Sequence, residues 1–345
     1  MGIPLMDYDV IIIGAGPAGS VTATAVAKAG YRVLVLEKNQ KCMSPCAGYI
    51  SNTINLELPD PSVIQSKITK MRTYSPDLSF HDFDLNGFVV DRPSFDRSLV
   101  VRAAGEGADI KWGSPLTVLS CGVVKFSKGE AKGRIIVGAD GVFSKTAALL
   151  GLHRQKVAVC AQYHLKGTKP IPNTAEIFFN ADYAPGGYAW VYPTGEDSAK
   201  VGVGTTSGNP RKYLDAFVKA SIRFGGKNTE YITGALPISA LREKLCFGNI
   251  LLVGDSAGMC DPVTGAGINN AMIAGEIAGR TIISALENED LTLLDQYEAK
   301  IRRLMGKPLS RALGKRKKLS DCNNEMLQKH LPELWVTFRQ YWENL

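Results

Sequence analysis

Residues 8–13 (YDVIII) form a short, β-branched and almost wholly apolar run. A run without polar alternation predicts a strand buried on both faces, as in a parallel sheet. GAGPAG follows at residues 14–19, then SVTATAVAKAG with small residues at helical spacing, then YRVLVLEKN, a second apolar strand ending at Glu37. That order predicts a βαβ unit. Residues 66–90 alternate and predict antiparallel strands, and residues 91–107 predict a helix with Asp91 as N-cap and Gly105 or Gly107 at its end. Residues 134–141 (RIIVGADG) read as strand then turn. Residues 157–206 read as mostly strands, punctuated by PGG at 185–187, and residues 211–224 as a helix. A buried strand at 250–253 enters a Gly-rich loop that leads into a long helix over residues 266–286, and residues 291–345 are largely helical in pattern.

An early strand–helix–strand, a β-rich middle and a late return to α/β predict a nucleotide-binding domain interrupted by a second domain. Residues 10–27 carry no charge and approach the length of a membrane span, but Gly14, Gly16, Pro17 and Gly19 interrupt them. The start, MGIPLMDYDV, lacks a basic segment leading into an apolar one, so no targeting segment is expected.

Charge changes the picture at one end only. The 345 residues carry 40 Lys+Arg and 33 Asp+Glu, a net charge of +7. Eleven of the basic residues and only four acidic ones lie from residue 299 onward, so the body is neutral and the excess is local. This argues against a nucleic-acid coat and for one contact with something anionic. Between Lys300 and Lys318 there are nine basic residues and no acid. Ile301, Leu304, Met305, Leu309, Leu313 and Leu319 add a rough apolar stripe, expected to be broken by Pro308. Such a segment can lie on an anionic bilayer or turn its stripe to the body. The seven Cys are odd in number and unpatterned, which predicts a reducing cytosol. No C-x-x-C pair exists and His81, His153, His164 and His330 are scattered, so no cluster or metal is expected.

Gly14, Gly16 and Gly19 make G-x-G-x-x-G between a strand and a helix. The first allows the turn, the second lets a pyrophosphate approach the backbone, and the third lets helix and strand pack closely. The helix N-terminus near Ala18 then offers free N–H groups to the anion. Glu37, 18 residues after Gly19, is placed to bind ribose hydroxyls. The motif leaves FAD and NAD open; residues 251–258 (LLVGDSAG) separate them. Asp255 directly after a buried strand can accept from a ribityl hydroxyl, which a flavin offers. Residues 264–268 (TGAGI) would open a helix toward the isoalloxazine pyrimidine edge, whose reduced form is anionic and is favoured by a helix N-terminus. The GADG turn at 138–141 adds a strand-end turn near the dinucleotide.

These motifs resemble the FAD enzymes of the aromatic-hydroxylase superfold over most of the chain. Residues 46–51 (CAGYIS) resemble the flavin loop of geranylgeranyl reductases. Residues 185–193 (PGGYAWVYP) resemble that family's P-x-x-Y-x-W-x-F-P motif, with Tyr192 where Phe is usual. Together with VGDSAG and DPVTGAGI, they look most like the archaeal digeranylgeranylglycerophospholipid reductases. The resemblance implies an α/β fold with a Rossmann-like FAD-binding domain (1–60, 88–150 and 243–290). An antiparallel-sheet substrate domain (61–87 and 151–242) would interrupt it, and a helical basic segment (291–345) would follow. It implies saturation of isolated C=C bonds in the geranylgeranyl chains of archaeal-type ether phospholipids, with hydride from flavin N5.

By the same resemblance Ala18 meets the pyrophosphate and Glu37 the ribose, while Cys46, Ala47 and Tyr49 fall in the flavin loop. Arg92 in DRPSFDR approaches FAD from its helix, Val118 supplies a backbone contact to adenine, and Asp255, Gly267 and Ile268 meet the ribityl and pyrimidine groups. Tyr188, Trp190 and Tyr192 alternate, so in a strand they share one face. With Pro193 they are the candidate substrate residues, able to wall the dry apolar cleft that this chemistry needs. Cys46 or a bound water is the candidate proton source, with Tyr188 behind them. The chain looks shorter at its C-terminal end than most family members. An external donor (NAD(P)H, ferredoxin or reduced F420) must visit the same flavin, because no second dinucleotide motif appears. With a phospholipid as substrate, the basic segment implies a cytoplasmic protein held peripherally on an anionic membrane. Two alternatives stand beside this reading. One is a flavin monooxygenase or halogenase, whose W-x-W-x-I-P motif residues 188–193 resemble in outline. The other is an electron-transfer flavoprotein partner, which normally brings a cluster.

Overall fold

The apolar run that opens the sequence becomes β1 (Met6–Ile13), the centre of a parallel sheet; the computed structural model describes residues 6–52, 60–120 and 122–343. α1 (Pro17–Lys28) and β2 (Val33–Leu36) complete the βαβ unit. β3 (Tyr49–Ser51), β4 (Ile64–Tyr74) and β5 (Phe80–Val90) follow, then α2 (Arg92–Gly105), capped by Asp91 accepting from the Ser94 N–H. The chain returns with β6 (Asp109–Lys111), β7 (Leu116–Ser120), β8 (Val123–Phe126), β9 (Gly129–Gly138) and α3 (Lys145–Leu149). β10 (Val157–Lys166), β11 (Thr174–Phe178), β12 (Tyr188–Pro193), β13 (Ser198–Thr205), α4 (Pro210–Lys219) and β14 (Lys227–Pro237) form the β-rich middle. β15 (Cys246–Phe247), β16 (Ile250–Leu252) and α5 (Ile268–Glu287) precede the terminal helices α6 (Asp295–Ile301), α7 (Lys307–Ser320), α8 (Asn324–Leu334) and α9 (Gln340–Glu343).

The strands divide between two sheets. The first runs β15-β16-β9-β1-β2-β6, with the β7–β8 hairpin joined to β9. β1 is parallel to β2 and to β9, which is why Val10 to Ile13 need apolar side chains on both faces. The second runs β14-β10-β13-β12-β11-β4-β5-β3 and is antiparallel except where β11 meets β4. The boundary between the two parts shifts from the one the sequence implied. Residues 49–51 and 88–90, expected within the nucleotide-binding part, pair with each other and with β4 in the second sheet.

α1 and α5 pack through small residues. A Cβ on Gly275 would press on the Ala18 carbonyl, one on Gly279 on the Ala25 methyl, and the Thr22 hydroxyl donates to the Gly275 carbonyl at 3.2 Å. On β12 the faces split by strand period: Trp190 and Tyr192 enter the core shared with the terminal helices, and Ala189 and Val191 the core under α4. Across the second sheet, fully buried Glu176 accepts from both terminal nitrogens of Arg223, at 2.8 and 3.0 Å.

Two expected features differ. The helix foreseen over 211–224 stops at Lys219; the Ser221 hydroxyl accepts from the Arg223 N–H, and a separate 3-10 turn carries Phe224 into the core. Pro308 does not break the basic helix. A π-helical turn at Arg302–Gly306 precedes it and places it in the first turn of α7, where no N–H is missed.

The terminal basic segment also folds otherwise than as a free amphipathic helix. Ile301, Met305, Leu309 and Leu319 are buried against the body, and Leu304 alone of the stripe is largely exposed. Arg302 turns inward too, pairing with Glu298 and donating to the Arg242 and Glu243 carbonyls. Arg316 is buried. What reaches solvent is a set of cations that includes Arg303, Lys317 and Lys318.

Candidate functional site

A cleft of about 840 Å³ runs between the two sheets and is lined from both. Its dinucleotide end is the β1–α1 turn. Gly14 has φ +103°, and a Cβ there would collide with the Ala139 carbonyl; a Cβ on Gly19 would collide with the Gly14 carbonyl. These two glycines close the turn and pack α1 on β1. Gly16 is different: a Cβ there would meet nothing within 4 Å, so its backbone faces the open cleft. No side chain caps α1 at Gly16, and Ala18, in the first turn, lines the cleft. The free N–H groups therefore point into it. Glu37, at the end of β2, accepts from the Ala15 N–H at 3.0 Å and the Asn39 N–H at 2.9 Å, which fixes the carboxylate at the rim. Asp140 of the GADG turn accepts from the Ser144 hydroxyl and the Thr146 N–H and so caps α3 beside this end.

Val118 is not brought to the cleft. A register shift in β7 between Leu116 and Val118 turns Val118 outward, 43% exposed, and Leu116 lines the cleft in its place.

At the other end Asp255 lines the cleft directly after β16. Burial pushes its carboxyl up to about 6, and the charge of Arg92 opposes that rise. Gly267 caps α5 without a side-chain bond, so a second helix N-terminus, beginning at Ile268, opens into the cleft close to the Asp255 carboxylate. The flavin-loop residues meet here as well. Gly48, at φ +82°, donates its N–H to the Cys46 sulfur at 3.4 Å, and its carbonyl accepts from the Val90 N–H at 2.9 Å. Arg92 is buried and pairs with Asp96 at 2.9 Å, while its Nε lacks a partner among the described residues. Buried Lys200 donates to the Val90 carbonyl at 2.8 Å behind the loop, and desolvation pulls its ammonium down to about 8.

The substrate end is aromatic. Tyr188, Trp190 and Tyr192 line the cleft from one face of β12, joined by Tyr49, whose ring centroid is 5.4 Å from that of Tyr192. The Trp190 indole N–H donates to Gln162 at 3.2 Å and the Tyr188 hydroxyl to the Thr264 carbonyl. Pro193 belongs to the opposite face: one residue beyond Tyr192 it pairs with Ala199 and is buried away from the cleft, as a period of two requires. The C-terminal segment supplies residues the sequence reading missed, above all Trp335, Val336, Thr337 and Trp342. Two tryptophans within eight residues of a segment read for its charge were the available signal.

Three features fit a bound FAD. They are the open approach at Gly16, the two uncapped helix N-termini facing one cavity, and the unpartnered buried Nε of Arg92 together with the Asn269 side-chain oxygen. Anionic phosphates and a hydrogen-bonding ring edge are what such groups take up. No group of His, Cys, Asp and Glu able to hold a metal occurs among the described residues.

Comparison with known proteins agrees with this geometry. The profile of the geranylgeranyl reductase catalytic domain matches residues 156–235, that of an NAD(P)-binding Rossmann-like domain residues 12–57, and that of an FAD binding domain residues 237–312. A digeranylgeranylglycerophospholipid reductase of Methanocella arvoryzae is 35% identical over 88% of this chain and 85% of its own length. Digeranylgeranylglycerophospholipid reductase 1 of Methanopyrus kandleri is 36% identical over 85% of each chain. Among solved structures, a geranylgeranyl bacteriochlorophyll reductase-like protein from Thermoplasma acidophilum superposes with a TM-score of 0.88 at 26% identity, over 97% of this chain and 93% of that one.

Proposed function

The chain belongs to the geranylgeranyl reductase family, and from that premise we propose that it is the FAD-dependent oxidoreductase that saturates isolated C=C bonds in the geranylgeranyl chains of archaeal-type ether phospholipids. One observation carries the reading. The aromatic face of β12 and the uncapped N-terminus of α5 open into the same cavity, so an apolar chain and a flavin-sized cofactor can meet there.

Bound FAD supplies the hydride, and the second alkene carbon takes a proton. The protein's own groups do the rest. The N-terminus of α1 at Gly16 and Ala18 would receive the pyrophosphate, and Glu37, held by the Ala15 N–H, would bind the ribose. Asp255, lining the cleft, would accept from the ribityl chain, and the N–H groups at Gly267 and Ile268 would meet the pyrimidine edge. Ala47, Tyr49 and Arg92 flank the same end. Tyr188, Trp190 and Tyr192 exclude water from the alkene and hold the chain flat. The Cys46 thiol, whose sulfur accepts from the Gly48 N–H, would supply the proton. An external donor, NAD(P)H, ferredoxin or reduced F420, would supply the electrons.

No helix among the described residues is long and apolar enough to cross a membrane. A peripheral contact on an anionic cytoplasmic membrane face is supported by the exposed Lys317 and Lys318, and by apolar side chains at the cleft rim, Met43, Phe83 and Trp342.

The deciding experiment incubates reduced protein anaerobically with a digeranylgeranylglycerophospholipid and follows mass. The expected result is a gain of two hydrogens per double bond. No gain, together with O₂-dependent oxygenation or halogenation of an aromatic, overturns the reading.

A further inference from the structure

One part of the cleft wall comes from a segment later in the chain than every cofactor motif. Trp335 follows α8 directly, in extended backbone, and is 1% exposed. Its ring centroid stands 5.1 Å from Tyr188 and 5.0 Å from Phe179, edge to face in both cases. Tyr188 in turn is bonded to Thr264, so only one aromatic ring separates Trp335 from the loop that opens α5. The indole N–H has no partner among the described residues.

The backbone after Trp335 is tied to the second sheet. Thr337 meets the Thr73 hydroxyl at 3.3 Å, its carbonyl lies 3.3 Å from the His81 ring, and Phe338 stacks on His81 with centroids 4.5 Å apart. From there the segment runs outward to Trp342, which lines the same cleft at the rim, 48% exposed and under the Arg311 guanidinium. Residues 335–342 thus form a strap along the cleft from its interior to its mouth.

Resting on the reductase reading, we propose that Trp335 is a specificity-determining residue. Its indole limits how far an isoprenoid chain passes beyond Tyr188, and so selects which double bond stands at the flavin loop. A double bond recurs every four carbons along the chain, so a stop one ring deep is fine enough to choose between neighbours. The geometry of a large, rigid, edge-packed ring suits that task, because it cannot yield by changing rotamer as Met or Leu would.

The test compares wild type, Trp335→Ala, Trp335→Leu and Trp335→Phe by mass spectrometry of partly saturated products, using both a digeranylgeranyl and a shorter difarnesyl lipid. In Trp335→Ala the ratio of early products shifts by about tenfold, the low end of what a changed apolar pocket contact does to discrimination; Trp335→Phe stays near wild type. Flavin absorbance of each purified variant reports folding separately. If Trp335→Ala loses its flavin, Trp335→Leu, which keeps an apolar side chain, decides by the same ratio. A flavin-loaded Ala or Leu variant with the wild-type product order and chain-length preference overturns the proposal. Wild type that saturates neither lipid overturns the reductase reading instead.

Discussion

The Tyr188 hydroxyl donates to the main-chain carbonyl of Thr264 at 2.5 Å, so the aromatic wall of one sheet is bonded to the loop that opens α5 beside the other. Tyr188 is therefore a positioning residue as well as a wall. Tyr188→Phe keeps the ring and removes the bond. The expected outcome is a fall in kcat of about tenfold with FAD affinity and KM little changed, the scale of one hydrogen bond made in a dry site. Steady-state kinetics with a parallel FAD titration read the split.

Asp255 gives a pH signature. Burial raises its carboxyl to about 6 in the folded protein, against roughly 4 in an unfolded chain. The folded state therefore holds the proton to higher pH, and the stability that goes with it is present below roughly pH 4 and lost as pH rises through about 6. Cofactor binding runs the other way, since a ribityl hydroxyl needs the carboxylate. FAD affinity of the wild type falls below about pH 6, and Asp255→Asn is flat across that window. Apoprotein thermal melts and FAD titrations from pH 4 to 7 check both.

The glycines of the turn separate folding from binding. A Cβ at Gly16 meets nothing, so Gly16→Ala folds normally and weakens FAD. A Cβ at Gly19 runs into the Gly14 carbonyl, so Gly19→Ala loses about 1–3 kcal/mol of stability in urea unfolding, the cost of overpacking.

Cys46→Ala tests the proton source. The expected outcome is a drop of about 100-fold in flavin reoxidation by substrate, within the range for general acid catalysis, with FAD still bound. Unchanged rates make Cys46 a packing residue.

Charge reversal tests the membrane contact. Lys317 and Lys318 are exposed, whereas Arg316 between them and α7's inner face is buried and must be left alone. Neutralising Lys317 and Lys318 together weakens binding to phosphatidylserine-containing liposomes by about 30-fold, at about 1 kcal/mol per lysine, reversing them weakens it further, and both leave FAD bound. Equal sedimentation with liposomes returns these lysines to solvent.

The cofactor half was legible because its signals are local. A strand, a glycine turn and a helix in sequence specify their own geometry: Gly14 closes the turn and Gly19 packs helix on strand as their spacing predicted, and the space at Gly16 is left open. The outward turn of the Val118 side chain could not be foreseen, because a bulge changes register without a mark in the side-chain pattern. Pro193 was within reach, since the period that puts Tyr188, Trp190 and Tyr192 on one face puts it on the other. Arg316 was out of reach, and the two tryptophans near the end were the one sign of Trp335. Their burial depends on which distant surface the terminal helices dock against, which no local pattern states.

The contact between α1 and α5 has a consequence for the cofactor. The two helix ends that face the cleft belong to one glycine-packed pair, locked at Gly275 against the Ala18 carbonyl and at Gly279 one turn further along. The distance between the end that takes an anion and the end that meets a ring edge is thus set like the jaws of a fixed calliper. A single methyl group inserted at Gly279 would spread those jaws, and the chain would reject its own cofactor through a residue that never touches it.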